Sequence, residues 1–100
     1  MATSISAPAN IKALRTQDQK SIILVWDTVG VTDTVYDIDI SVLSPELGFT
    51  AVVTGQAEIT TTAQQAYVIT GLRDDRAYYI RLRARSGTAS SIYTTVYSGL

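Results

Sequence analysis

One hundred residues suffice for one compact unit, and 46% apolar against 17% charged residues excludes an intrinsically disordered chain. A net charge of -1 argues against a dedicated nucleic-acid or anionic-membrane binder. The absence of cysteine removes a disulfide framework and a thiolate metal site, so the fold is compatible with reducing and oxidising compartments alike. The longest apolar run, Ile22-Ile23-Leu24-Val25-Trp26, is far short of the roughly 20 residues of a spanning helix, which predicts no membrane insertion. The start, Met1-Ala2-Thr3-Ser4-Ile5, has no basic or apolar signal region. Two expectations follow: a complete small protein used without secretion, which the initiator-like Met1 favours, or a module of a longer secreted chain.

Period-two patterns dominate, helical spacing is hard to find in windows of about 11 residues, and Val, Ile, Thr and Tyr are abundant. Behind Pro8, a residue suited to an edge because it donates no ladder bond, a first strand is predicted over 10–15. A polar turn over 16–20 precedes a second strand at 21–27. Gly30 and Asp33 mark a loop at 28–34. The third strand, 35–43, alternates: Tyr36, Ile38, Ile40 and Val42 on one face, Asp37, Asp39 and Ser41 on the other. A Pro45 and Gly48 turn leads to a fourth strand over 49–54, closed by Gly55. A short edge strand is predicted at 58–62 and another strand at 65–72, interrupted by Gly71. After a polar turn at 73–76, residues 77–86 alternate again, with Tyr78, Ile80, Leu82 and Ala84 inward and Tyr79, Arg81, Arg83 and Arg85 outward. A small-residue loop at 86–90 precedes the last strand at 91–97. About seven strands in this pattern predict one all-β antiparallel domain, a sandwich or a barrel, filling residues 1–100, with its core over about 8–98.

Several anchors carry a resemblance. Pro8-Ala9-Asn10-Ile11 resembles the opening strand of a fibronectin type III domain, and Ser21-Ile22-Ile23-Leu24-Val25-Trp26 looks like its second strand, which ends on a core tryptophan. Gly71-Leu72 followed by Tyr78 is similar to the turn before the sixth strand, and Tyr78-Tyr79-Ile80-Arg81-Leu82-Arg83-Ala84 matches that strand. The resemblance implies a seven-stranded immunoglobulin-like sandwich in which Tyr78 forms a corner, its hydroxyl bonded back to the backbone. Asp74-Asp75 replaces the usual Pro-Gly after the leucine, and no Arg-Gly-Asp occurs, so integrin binding is not implied.

The side chains offer little for catalysis. Without histidine or cysteine the commonest general base, nucleophile and metal ligand are missing, so no catalytic residue, metal site or cofactor is expected. Asp74-Asp75 resembles a fragment of a Ca²⁺ site, but flanking Arg73 and Arg76 balance it as a solvated turn. In this fold the third and sixth strands are neighbours, so Asp37 and Asp39 should form a cross-strand ladder with Arg81, Arg83 and Arg85. That face, with Tyr79 and also Tyr93 and Tyr97, is expected to be a solvated charged surface and a possible second contact site. On the opposite sheet, an inward Ile22, Leu24 and Trp26 turns Ile23 and Val25 outward, beside Leu14, Ala66 and Val68. This apolar cluster is either covered by neighbouring side chains and the termini or is a docking face for another protein or a second copy.

The expected function is that of a non-catalytic structural or interaction module within a larger assembly. A bacteriophage decoration or tail component, located in the virion, fits the cysteine-free composition and the plain start. The alternative is an extracellular binding or spacer module of a bacterial secreted enzyme or adhesin. The oligomeric state stays open.

Overall fold

The alternation of β-branched and aromatic residues against polar ones forces one face of each strand inward, and two layers of strands close around those faces. In the computed structural model, which describes residues 5–31, 33–44 and 46–99, the strands are β1 (Lys12–Arg15), β2 (Ile22–Asp27), β3 (Val35–Ser41), β4 (Thr50–Ala57), β5 (Gln64–Ile69), β6 (Tyr78–Ser86), β7 (Ala89–Ser90) and β8 (Thr94–Ser98). One sheet has the order β1-β2-β5. The other has the order β4-β3-β6-β7, with β8 also paired to β6. All pairings are antiparallel, and no helix occurs among the described residues. The architecture is the expected all-β sandwich. The two-residue β7 is an eighth strand, made where the small-residue turn at Gly87 folds Ala89 and Ser90 back onto Ser86 and Arg85.

The core is the set of inward positions of three strands: Ile22, Leu24 and Trp26 of β2, Tyr36 and Ile38 of β3, and Ile80, Leu82 and Ala84 of β6, all essentially inaccessible. Trp26 meets Tyr36 edge to face, with ring centroids 5.0 Å apart and planes at 68°. The Tyr36 hydroxyl donates to Glu58 Oε1 and accepts the Val29 N–H at 3.2 Å. Burial, then the bond to Glu58, pushes its pKa up to about 12. Tyr78 forms the corner: its hydroxyl accepts the Arg73 N–H at 2.9 Å.

Several element boundaries differ from expectation, each for a local reason. β1 starts at Lys12, because Asn10 sits at φ 55° and its carboxamide donates to Asp27 Oδ2 at 2.6 Å. β3 ends at Ser41, so Val42 is exposed and not part of the inward face. The Ser41 hydroxyl donates to the Leu47 carbonyl and accepts the Leu43 N–H, turning the chain. β4 does not stop at Gly55. The register steps from Tyr36↔Gln56 to Asp37↔Thr54, leaving Gly55 as an extra residue at φ 80°, a bulge that glycine tolerates without a Cβ penalty. Residues 58–62 form no strand. Both polar groups of the Ile59 backbone are taken by the Gln65 carboxamide, and Glu58 caps the Val29 and Gly30 amides. β5 ends at Ile69, and the Leu72 N–H crosses to the Lys20 carbonyl. The last strand starts at Thr94 because Ser91 bonds Ala84 through its amide and its side chain.

Trp26→Ala should lower stability by about 3–5 kcal/mol, since it empties the centre of the core. Chemical denaturation with fluorescence of the tyrosines would show it, and a loss below about 1 kcal/mol would mean that Trp26 does not fill that centre. Tyr78→Phe should cost about 1 kcal/mol by leaving the Arg73 amide without its acceptor, read as a shift of the same unfolding curve.

Candidate functional site

The outward face of the β3–β6 pair is built by register. Asp37 lies opposite Arg83, Asp39 opposite Arg81, and Val35 opposite Arg85, so Arg85 is diagonal to Asp37. Arg83 Nε donates to Asp37 Oδ2 at 2.7 Å. Arg85 grips the same carboxylate with Nε at 2.7 Å from Oδ2 and a second guanidinium nitrogen at 3.0 Å from Oδ1. The Gly55 N–H adds a fourth donor, at 3.0 Å from Oδ1. Arg81 Nε donates to Asp39 Oδ2 at 2.8 Å. Burial raises the Asp37 pKa, but the bonds from Arg85, Arg83 and the Gly55 amide outweigh it and hold the carboxyl below its usual range. The Arg85 guanidinium is correspondingly pushed up by Asp37.

Aromatic rings complete this face. Arg81 lies 4.4 Å from the centre of the Phe49 ring and 4.0 Å from that of Tyr93, while Arg83 lies 4.9 Å from Tyr93. Burial, then the charge of Asp39, pushes the Tyr93 hydroxyl up. Tyr79 packs against Tyr97 across the β6–β8 pair at 5.0 Å. The expectation of a solvated charged surface is corrected here: Asp37 is only 3% and Asp39 only 8% exposed. Arginine side chains laid along the sheet cover the acids with their stems and the rings cover the guanidinium groups. Sequence reasoning missed Phe49 and Gly55 in this network. Phe49 stands just before β4 with no partner named by spacing, and the part played by Gly55 depends on the bulge.

The outward face of the β1-β2-β5 sheet has opposite chemistry. Its register forms one row of Leu14, Ile23 and Val68 and a second of Lys12, Val25 and Ala66. Leu14 is 53% and Val68 50% exposed, Ala66 is exposed, and Ile23 and Val25 are half-buried between them. All five residues of the expected apolar cluster therefore stand side by side, with Lys12 at one corner.

Two other features offer less. A cleft of about 560 Å³ opens between residues 28–31 and 33–35 on one side and 57–60 on the other. Of its acids, Asp33 is exposed and Glu58 already accepts two amides and a hydroxyl. Asp75 is paired with Arg73 at 3.0 Å, both exposed, and that hydrogen bond holds the Asp75 carboxyl below its usual range. Among the described residues no group of three or more His, Cys, Asp or Glu side chains gathers to hold a metal ion.

The charged network carries a pH dependence. The folded-state pKa of Asp37 is depressed, so its contribution is full above the unfolded carboxylate value of about 3.9 and is lost as pH falls through the folded value. The acid limb of the stability curve should therefore lie below about pH 4. Asp37→Asn should flatten that limb and lower neutral-pH stability by about 1–3 kcal/mol, at the modest end because the arginines keep partial access to water. Denaturant melts across pH 2–7 measure both effects; an unchanged acid limb would show that Asp37 is not the titrating anchor.

Comparison with known proteins agrees with this architecture. A search of curated proteins found no match. Among solved structures, a Fn3-like protein from Clostridium thermocellum superposes with a TM-score of 0.72 at 18% identity, covering 95% of this chain and 92% of that one. A structure described as a myokine superposes with a TM-score of 0.66 at 21% identity, covering 94% of this chain and 95% of that one. At such identities the likeness speaks for the fold alone. In sequence, the fibronectin type III domain matches residues 6–97. Because that match runs from ahead of β1 into β8, this chain belongs to the family of fibronectin type III domains.

Proposed function

We propose that the domain is a non-catalytic protein-interaction module that docks through the outward face of its three-stranded sheet. Domains of this family commonly serve as interaction or spacer modules. One observation carries the proposal: the two rows Leu14-Ile23-Val68 and Lys12-Val25-Ala66 leave apolar side chains in contact with water on a regular sheet. The other sheet satisfies its own charges, with four donors on Asp37 and rings stacked on Arg81 and Arg83. Removing apolar side chains from water is favourable at about 25 cal/mol per Å², so the apolar rows gain from a protein surface placed on them. The charged face around Tyr79, Arg81, Arg83 and Arg85 gains less, since a partner there would compete with bonds already made.

The setting proposed for this docking is a larger assembly, such as the surface or tail of a bacteriophage particle, with the protein located in the virion. A core closed without cysteine supports it, because the domain then folds in a reducing cytosol where particles are built. The test compares wild type with Val25→Lys for co-sedimentation with purified particles. Val25 is half-buried in the middle of the second row with its side chain turned away from the core, so Val25→Lys should leave the melting temperature within a few degrees of wild type and reduce binding at least about tenfold, equal to about 1.4 kcal/mol. Undiminished binding overturns the docking face. No binding of the wild type to any particle, together with a gene coding a longer secreted chain, would assign the extracellular binding or spacer role instead.

A further inference from the structure

Each sheet ends on strands whose outer backbone groups lack a neighbouring strand, and such edges pair with other chains unless something blunts them. Four of the five terminal strands are blunted, β7 by being only two residues long. β4 carries two register breaks, at Gly55 and between Ile38 and Asp39. β1 is four residues long and carries Lys12 and Arg15. β8 runs alongside β1 of the opposite sheet. β5 is different. Its sequence, Gln64-Gln65-Ala66-Tyr67-Val68-Ile69, has no charge, proline or glycine, and it pairs with β2 over its whole length without a register break.

The ladder shows which groups of β5 are open. The Thr28 N–H bonds the Ala63 carbonyl, whereas the Asp27 N–H turns the other way, to Ala9. Alternation then makes Trp26↔Gln65, Leu24↔Tyr67 and Ile22↔Ile69 the hydrogen-bonded pairs. The amides and carbonyls of Ala66 and Val68 point away from β2, along the edge. At Gln64 the edge is closed, because its carbonyl accepts the Thr62 hydroxyl at 2.7 Å.

We propose that the edge of β5 pairs antiparallel with β5 of a second copy of this chain, with Ala66 of one opposite Val68 of the other. An uncharged strand is self-complementary: an antiparallel two-fold pairing brings like side chains together, and none of these repels its copy. In this register Ala66 and Val68 of each copy exchange their open amide and carbonyl groups. Tyr67 stands opposite its own copy on the inward side, at the two-fold axis. The outward rows also become continuous. Leu14, Ile23 and Val68 of one copy run on into Ala66, Val25 and Lys12 of the other, so that β1-β2-β5 and its copy form one six-stranded sheet. This goes beyond the docking face described above, since it uses the backbone edge and not the side chains that point away from the sandwich.

Sedimentation velocity over a range of micromolar to millimolar concentrations, on wild type, Val68→Pro and Val25→Lys, tests the pairing. Proline at 68 removes an amide that the ladder within one copy does not use, a position where edge strands accept it. Wild type should dimerise, Val68→Pro should weaken the dimer at least about tenfold, and Val25→Lys should leave it intact while weakening particle binding. A wild type that stays monomeric, or a dimer that survives Val68→Pro, overturns the edge pairing. So does a dimer lost only with Val25→Lys, which would place the contact on the sheet face. Should Val68→Pro fail to fold, amide hydrogen exchange of the wild type decides. Exchange at Ala66 and Val68 that slows as concentration rises supports the pairing, and exchange independent of concentration overturns it. Particle binding and dimerisation are read separately, so either proposal can fail without the other.

Discussion

The carboxylate of Asp37 is held from two neighbouring strands at once. Gly55 of β4 gives it an amide, and Arg83 and Arg85 of β6 give it guanidinium groups. β3 lies between these strands, so the carboxylate ties the middle of the five-stranded sheet together and sets where its neighbours sit along it. The bulge at Gly55 is what aims that amide at the carboxylate, and its positive φ is a conformation that glycine adopts without steric cost. A buried carboxylate left unpaired would be strongly destabilising, so this register holds only with the donors of both neighbouring strands in place.

This arrangement decides the character of both sheets. On the five-stranded side, the polar groups that alternation turns outward are consumed by one another, and Phe49 and Tyr93 close over the guanidinium groups. What could have been a charged contact surface is largely a second, polar layer of the structure. On the three-stranded side there is no such layer. The outward positions at the centre of β1, β2 and β5 are apolar, among the described residues Lys12 is the one charge in the two rows, and the polar pair Asp27↔Gln64 lies beyond them. The molecule is thus asymmetric across its thickness, and the apolar side also contains the open edge of β5.

The connections follow a related principle. Backbone groups removed from a ladder need other partners. Glu58 supplies them to Val29 and Gly30, Gln65 to Ile59, and Ser91 to Ala84. These side chains hold the end of the sandwich where the chain passes from β4 to β5. They also explain how residues 58–62 stay ordered without pairing as a strand. The Tyr36 hydroxyl joins this group from the core through Glu58, linking loop geometry to the packing of Trp26.

The inward and outward alternation of β2, β3 and β6, the inward place of Trp26 and the membership of the apolar rows were determined by the sequence, while the corner at Tyr78 was implied by the family resemblance alone. The physical reason is that side-chain direction in a strand is a local, period-two property, set by the residues themselves. Tertiary structure alone decided where strands end and which groups meet across them. Gly55 reads as a terminator until the partner strand shows it to be a bulge. The segment at 58–62 reads as a strand until Gln65, distant in space only when the chain is extended, takes its backbone bonds. Asp37 and Asp39 read as solvated acids until arginines two and four residues apart on β6 close over them. Each of these depends on cross-strand register and on the reach of long side chains, which are non-local. For the same reason, the openness of β5 could be seen only once the other edges proved to be short, broken by bulges or packed against a neighbour.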